Sequence, residues 1–158
     1  MNTPQAPLQH IVLDTVTASV PGGPGATEAE MVVSTPGRDR MGDRVMLEGA
    51  DLTRFRRNPV LLWGHEANFL PIGTVTQLTV EPARGLRARW RCLVGDAFAD
   101  RVKNAWEQGI VRAASIGFMP IEGSPNKLGG YDHRMWELLE ISLVPIPANA
   151  EATRPPGS

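Results

Sequence analysis

Short runs in which apolar and polar residues alternate make up most of this chain. Prolines and glycines, 14 and 16 of them in 158 residues, separate these runs. Alternation with a period of two is typical of strands that bury one face. It predicts strands over Ile11 to Ser19, Ala29 to Ser34, Arg44 to Leu47, Pro59 to Trp63, Gly73 to Glu81, Leu86 to Val94, Ala113 to Pro120 and Met135 to Val144.

Two segments have helical patterns instead. The clearer one runs from Asp96 to Gln108, and Gly109 is suited to cap its C-terminal end. Its apolar residues recur at helical spacing: Phe98, Val102, Ala105 and Trp106. A shorter helix is predicted over Asp51 to Arg56, ending before Pro59.

Many short strands with few helices predict a mainly β fold with flanking helices, an α+β protein whose strands form a barrel or a sandwich. A length of 158 residues is typical of one domain. We therefore expect a single domain over residues 1–158, with a flexible tail over residues 152–158.

The charge balance and the cysteine content exclude several classes of protein. Sixteen Lys and Arg against 17 Asp and Glu leave a net charge of −1, so no strong field attracts nucleic acid or an anionic membrane. No apolar stretch approaches the roughly 18 residues that span a bilayer. Cys92 is the single cysteine, which excludes an internal disulfide or a zinc site of paired cysteines. We expect a cytosolic protein that binds neither nucleic acid nor membrane, with Cys92 in the core.

One predicted strand separates apolar from basic side chains. Leu86, Ala88, Trp90 and Cys92 fall on one face of it. Arg87, Arg89 and Arg91 fall on the other. We expect these arginines to form a solvated outer face, with a binding role as the alternative.

Three polar residues in apolar surroundings are candidates for nucleophilic catalysis. Ser115 lies in "VRAASIGFMP", His65 in "LLWGHEANFLPIGTV" and Glu140 in "WELLEISLVPIPAN". A serine becomes a nucleophile when an imidazole takes its proton, and a third group fixes the tautomer of that imidazole. The chain has no G-x-S-x-G elbow, H-E-x-x-H pair, phosphate loop or nucleotide fingerprint. The residues alone therefore leave a structural role open for His65 and for Ser115.

Three separated blocks carry a resemblance to a known family. They are "STPGRDRMGDRVMLEGADLTRFRRNPVLLWGHEANFLPIGTV", "GIVRAASIGF" and "ELLEISLVPIPANAEA". In this order they resemble the tailed-phage prohead proteases, which are related to the herpesvirus assemblins, over about Met31 to Glu151. The resemblance implies a closed or nearly closed antiparallel β-barrel of the herpesvirus-protease type.

The resemblance also implies roles for the site residues. His65 matches the family's base, and Ser115 matches its nucleophile. An acid before the I-S-L-V-P segment is regular in phage members, which favours Glu140 as the third member. Herpesvirus relatives have a second histidine there, so His133 stays open, although we expect it at the surface beside a hairpin tip.

Other polar residues near these blocks are expected to be structural. We expect Asp43 to form a turn and Glu137 to lie at a strand edge or end. Arg112 is a conjectural helper at the site. Backbone amides are the expected oxyanion donors.

The family's activity implies a serine endopeptidase that cleaves capsid and scaffold segments, and its own precursor, inside the immature prohead in the host cytoplasm. The implied partners are the major capsid protein and the scaffold segment as substrates, self-association is open, and no metal or cofactor is expected. One alternative is a non-enzymatic capsid-assembly or scaffold-binding module on the same barrel, with Arg87, Arg89 and Arg91 binding an acidic segment. Another is a serine hydrolase of small esters.

Overall fold

The computed structural model describes residues 28–155, and in this part of the chain an 8-stranded sheet curls strongly without closing. Its strands are β1 (Ala29–Ser34), β2 (Arg44–Val45), β3 (Ala50–Asp51), β4 (Val60–Trp63), β5 (Gly73–Glu81), β6 (Gly85–Cys92), β7 (Ala113–Pro125) and β8 (Tyr131–Val144). Helix α1 (Ala97–Glu107) and two 3₁₀ turns, Leu47–Gly49 and Phe55–Arg57, complete the elements of these residues. The strand expected over Ile11 to Ser19 lies outside the described residues.

The long strand β8 organises the sheet. The strand order is β1, β6, β5, β4, β8, and β7 pairs with β8 in an antiparallel hairpin. On its other side β8 pairs in parallel with β2, β3 and β4. The expected mainly β, α+β class is therefore confirmed, but the sheet is mixed rather than antiparallel.

The expectation of a closed or nearly closed barrel is wrong, because β1 and β7 do not pair with each other. Residues after β8 lie between these two edges instead. Thr153 accepts a hydrogen bond from the Val32 amide of β1 at 3.2 Å, and Ala152 accepts one from the Ala114 amide of β7 at 3.0 Å. Residues 152 and 153, the first of the segment that we expected to be a flexible tail, therefore connect the two edges. Residues 156–158 lie outside the described part.

Helix α1 begins where the sequence predicts it. The Asp96 side chain caps the helix by accepting hydrogen bonds from the amides of Phe98 and Ala99 at 3.1 and 2.8 Å. Val102 and Trp106 are buried, and the Trp106 ring packs edge-on against Trp90 with 5.3 Å between centroids. The apolar face predicted for this helix is thus confirmed, except that Phe98 is 45 % exposed.

The shorter helix expected over Asp51 to Arg56 is wrong. Asp51 belongs to β3, and only Phe55–Arg57 form a 3₁₀ turn. The Asp51 carboxylate accepts a hydrogen bond from the Thr53 amide at 2.9 Å, an Asx turn that ends the strand without starting an α-helix. Similarly, the strand expected over Arg44 to Leu47 ends at Val45.

The remaining expectations concern packing. Cys92 is buried, and its burial raises the pKa of the thiol to about 11, so it is an inert core residue. On the opposite face of β6, Arg87 and Arg89 both pair with Glu30, as expected of a solvated outer face. Within residues 28–155, no helix is long and apolar enough to cross a bilayer.

Candidate active site

Three adjacent strands bring His65, Ser115 and Glu140 to one region of the sheet. Ser142 of β8 is paired with Ser115 of β7 on one side and with Leu62 of β4 on the other. Directly opposite residues of paired strands project to the same face, so Ser115 and Ser142 share a face. Glu140, two residues before Ser142, projects to that face as well. His65 reaches it from the turn that follows β4.

The turn after β4 has an unusual backbone. Gly64 and His65 are both left-handed, with φ of 60° and 64°, and His65 is the one non-glycine residue of positive φ in the described part. This conformation costs a non-glycine residue about 1 to 2 kcal/mol. The His65 amide donates a hydrogen bond to Ser142 Oγ at 3.1 Å, which holds the turn against β8. Strained backbone of this kind is concentrated at active sites.

The His65 imidazole contacts the Glu140 carboxylate directly. Its Nδ1 lies 2.7 Å from Glu140 Oε1, and Glu140 Oε2 accepts a hydrogen bond from Ser142 Oγ at 2.6 Å. A carboxylate at Nδ1 favours the tautomer whose Nε2 carries a free lone pair. The hydrogen bond that His65 donates to Glu140 raises the pKa of His65 above its ordinary value of 6.5, and partial burial opposes this rise. The pair can therefore accept a proton at Nε2 and stabilise the charge that results.

Ser115 lies on β7 between the buried Ala114 and the partly buried Ile116, and is itself only 5 % exposed. It contributes to the lining of a small, open cavity. The other lining residues are Val33, Ser34, Gly37, Asp39, Asp43, Val45, Ile116, Phe118, Ala148 and Asn149. Opposite residues of an antiparallel pair have Cα atoms about 5 Å apart. Ser115 is thus one strand spacing from Ser142, whose hydroxyl contacts both His65 and Glu140.

His133 is not the surface residue that the sequence suggested. It is 7 % exposed, and its Nε2 lies 3.3 Å from Asp43 Oδ2. Its ring stacks on Tyr131 and meets the edge of Phe118. Asp43 also accepts a hydrogen bond from the Tyr131 amide at 2.7 Å, so it joins β2 to the start of β8. The expected surface position is wrong, because this carboxylate and the two rings enclose the imidazole.

His133→Ala is expected to lower the free energy of unfolding by about 2 kcal/mol, since it removes a buried ring and leaves Asp43 without that partner. Turnover per folded molecule should remain close to that of the parent. Urea denaturation and active-site titration of the same preparation measure the two quantities separately.

The other polar candidates make structural contacts. Glu137 is buried and lies 3.6 Å from Arg54. Arg112 Nε donates a hydrogen bond to the Gly109 carbonyl at 2.6 Å, at the end of α1. Asp43 joins strands as described, although it also lines the cavity beside Ser115. Within residues 28–155, no three His, Cys, Asp or Glu side chains are grouped so that they could hold a metal ion.

Two residues at this site were not singled out from the sequence. Ser142 contacts both His65 and Glu140, and Gly117 lies directly opposite Glu140. The alternation of β8 places Ser142 on the face of Glu140, which was the available signal. Gly117 had no such signal, because its position depends on the register between β7 and β8.

Comparisons with known proteins identify relatives of this chain. The chain is 37% identical over 130 residues to the "Capsid polyprotein" of Pseudomonas phage PAJU2, which covers 77% of this chain and 19% of the relative. It is 25% identical over 134 residues to the "Prohead protease" of Escherichia phage T5, which covers 82% of this chain and 62% of the relative. The chain thus spans less than two thirds of the length of either relative.

No solved structure matches this chain. The profile of the caudovirus prohead serine proteases matches residues 32–155, which include β4, β7 and β8 and all residues of the site described above. The chain therefore belongs to the caudovirus prohead serine protease family.

Proposed function

We propose that this chain is a serine endopeptidase in which Ser115 is the nucleophile, His65 the general base and Glu140 the residue that orients His65. The observation that carries the proposal is the 2.7 Å contact between His65 Nδ1 and Glu140 Oε1, on the face that Ser115 shares. It supplies the base and its orienting acid beside a serine that the family blocks single out. This arrangement has the roles of a serine protease triad.

The proposed roles imply the following proton transfers. His65 Nε2 removes the hydroxyl proton as Ser115 Oγ attacks the peptide carbonyl, and Glu140 stabilises the imidazolium. The imidazolium then gives this proton to the leaving amine, which departs and leaves an acyl-enzyme. Water attacks the ester with His65 again as base, and Ser115 regains its proton.

The proposed substrates are capsid and scaffold segments inside the immature prohead, including the precursor of the protease itself. Two findings support this proposal: the family is that of prohead proteases, and a relative is named a capsid polyprotein. The rival, a non-enzymatic module that docks an acidic segment on Arg87 and Arg89, is weakened because Glu30 already pairs with both side chains.

A fluorophosphonate probe tests whether the site is a reactive serine. We expect the probe to label Ser115, and His65→Ala to slow labelling at least about 100-fold, since the serine loses its base. Ser124→Ala is a suitable control, because it removes a hydroxyl from the far end of β7. Peptide mapping by mass spectrometry locates the label. Absence of labelling in the free protein and in capsid co-assemblies would support the non-enzymatic module instead.

The pH dependence of proteolysis should follow the raised pKa of His65. The neutral imidazole is the active form, so kcat/KM should fall as pH decreases through a pKa above 6.5. In Glu140→Gln the residual activity should have its acid limb at lower pH, because the contact that raises the pKa is lost. Initial rates on a quenched fluorescent peptide between about pH 5 and 9 measure the acid limb of the parent and that of Glu140→Gln. A limb unchanged by the substitution would contradict the pairing of Glu140 with His65.

A further inference from the structure

The Glu140 carboxylate is fixed on more than one side. One oxygen contacts His65 Nδ1, and the other accepts the hydroxyl hydrogen bond of Ser142 at 2.6 Å. Ser142 is fully buried, with 0 % exposure. Its oxygen also accepts the His65 amide at 3.1 Å, so one hydroxyl contacts the carboxylate and the backbone of the histidine. A buried hydroxyl with both roles filled has little freedom to rotate.

Gly117 forms the opposite side of this pocket. It lies across from Glu140 in the register of β7 and β8. A Cβ at Gly117 would lie 3.0 Å from both Cγ and Cδ of Glu140, and would overlap Oε1, the oxygen that contacts His65. The backbone of Gly117 has an ordinary φ, so glycine is required there for space and not for conformation. The carboxylate therefore lies over Gly117 because no side chain occupies that place.

We propose that Ser142 and Gly117 are positioning residues for the triad: the Ser142 hydroxyl fixes the Glu140 carboxylate and the left-handed turn of His65, and Gly117 leaves room for the carboxylate. The proposal rests on the proposed function, because it assigns the orientation of Glu140 toward His65 a catalytic value. Gly117 acts through Glu140, and Ser142 acts through Glu140 and the turn of His65.

A purely structural role of Ser142 predicts different results from a positioning role. If Ser142 only satisfied buried hydrogen bonds, its removal would lower stability and leave the folded protein active. If it positions Glu140, its removal allows the carboxylate to leave His65 while the fold persists. The pKa of His65 distinguishes the two roles, because it depends on the contact with Glu140.

Ser142→Ala is the first test, with Ser124→Ala as its control. We expect kcat/KM per folded molecule to fall about 10- to 100-fold in Ser142→Ala, the effect of losing a hydrogen bond to a charged group, and to stay unchanged in the control. The His65 pKa, measured by NMR titration in a Ser115→Ala background that cannot cleave itself, should move down toward 6.5. An unchanged or raised pKa would overturn the proposed role of Ser142.

Gly117→Ala provides a second variant that leaves the Ser142 hydroxyl in place. It should lower both kcat/KM and the His65 pKa, because the new Cβ displaces the carboxylate. If Gly117→Ala keeps the parental pKa and rate, the role of Gly117 is refuted even where Ser142→Ala fails to fold.

Combination with Glu140→Gln separates this proposal from the triad itself. Ser142 acts partly through Glu140 and partly through the turn of His65, so Ser142→Ala should lower the rate of Glu140→Gln by clearly less than it lowers the rate of the parent. If Ser142→Ala lowers the rate of Glu140→Gln by the same factor as it lowers the rate of the parent, Ser142 does not act through Glu140. That result would overturn the positioning role while leaving the triad intact. A parental rate in Glu140→Gln alone would instead refute the proposed triad.

Discussion

Ser115→Ala is expected to reduce proteolysis about 10³-fold or more, because it removes the only atom of the proposed triad that bonds to the substrate carbon. The change deletes one buried hydroxyl, so the fold should persist. Co-expression with the capsid and scaffold proteins of the same phage, followed by intact-mass measurement, compares the parent with the variant. New termini should appear with the parent and be absent with Ser115→Ala.

The same measurement defines the substrates. Chains whose intact mass decreases on co-expression with the parent protease are its substrates. The masses of the products locate the cleaved bonds, including any bond within the protease precursor. Ser124→Ala should give the parental pattern, since its hydroxyl contacts Arg134 at the far end of β7. An unchanged pattern of new termini in Ser115→Ala would assign the cleavage to a host protease and contradict the proposed nucleophile.

Local patterns predicted some elements well because those elements depend on local residues. The alternation in Gly73–Glu81 and the capped helix α1 needed no information from distant parts of the chain. The two-residue strands β2 and β3 were not predicted as such, because so few residues have no detectable period. The open, mixed sheet depends on parallel pairing with β8 and on the insertion of residues 152–154, which are both nonlocal.

The site shows the same division between local and nonlocal information. His65 and Glu140 were identified from family blocks, and they are in contact although 75 residues separate them. The burial of His133 was missed because its partner, Asp43, lies 90 residues away. The sequence around Asp43 predicted only an ordinary turn. Ser142 and Gly117 were missed because their roles depend on which residues are opposite each other on neighbouring strands.

The second large effect on proteolysis is expected from replacement of Glu140, the proposed third member of the triad. Glu140→Gln is expected to lower kcat/KM about 10- to 10⁴-fold, because an amide keeps the size of the side chain but removes the charge that stabilises the imidazolium. The amide can also donate a hydrogen bond to Nδ1 and so favour the wrong tautomer of His65. Initial rates, corrected by the folded fraction from thermal melts, measure the effect.

His133→Ala is the matched comparison for this prediction, because the structure offers a second histidine and carboxylate pair, His133 and Asp43, in which His133 lies on the strand of Glu140. Its contact with Asp43 is longer, 3.3 Å against 2.7 Å for His65 and Glu140, and it is enclosed by Tyr131 and Phe118. We therefore expect its loss to reduce stability and not turnover. If His133→Ala abolished cleavage in a folded protein while Glu140→Gln cleaved at the parental rate, the third member would be the histidine. If Glu140 had only a structural role, Glu140→Gln would lose activity only in proportion to its unfolded fraction.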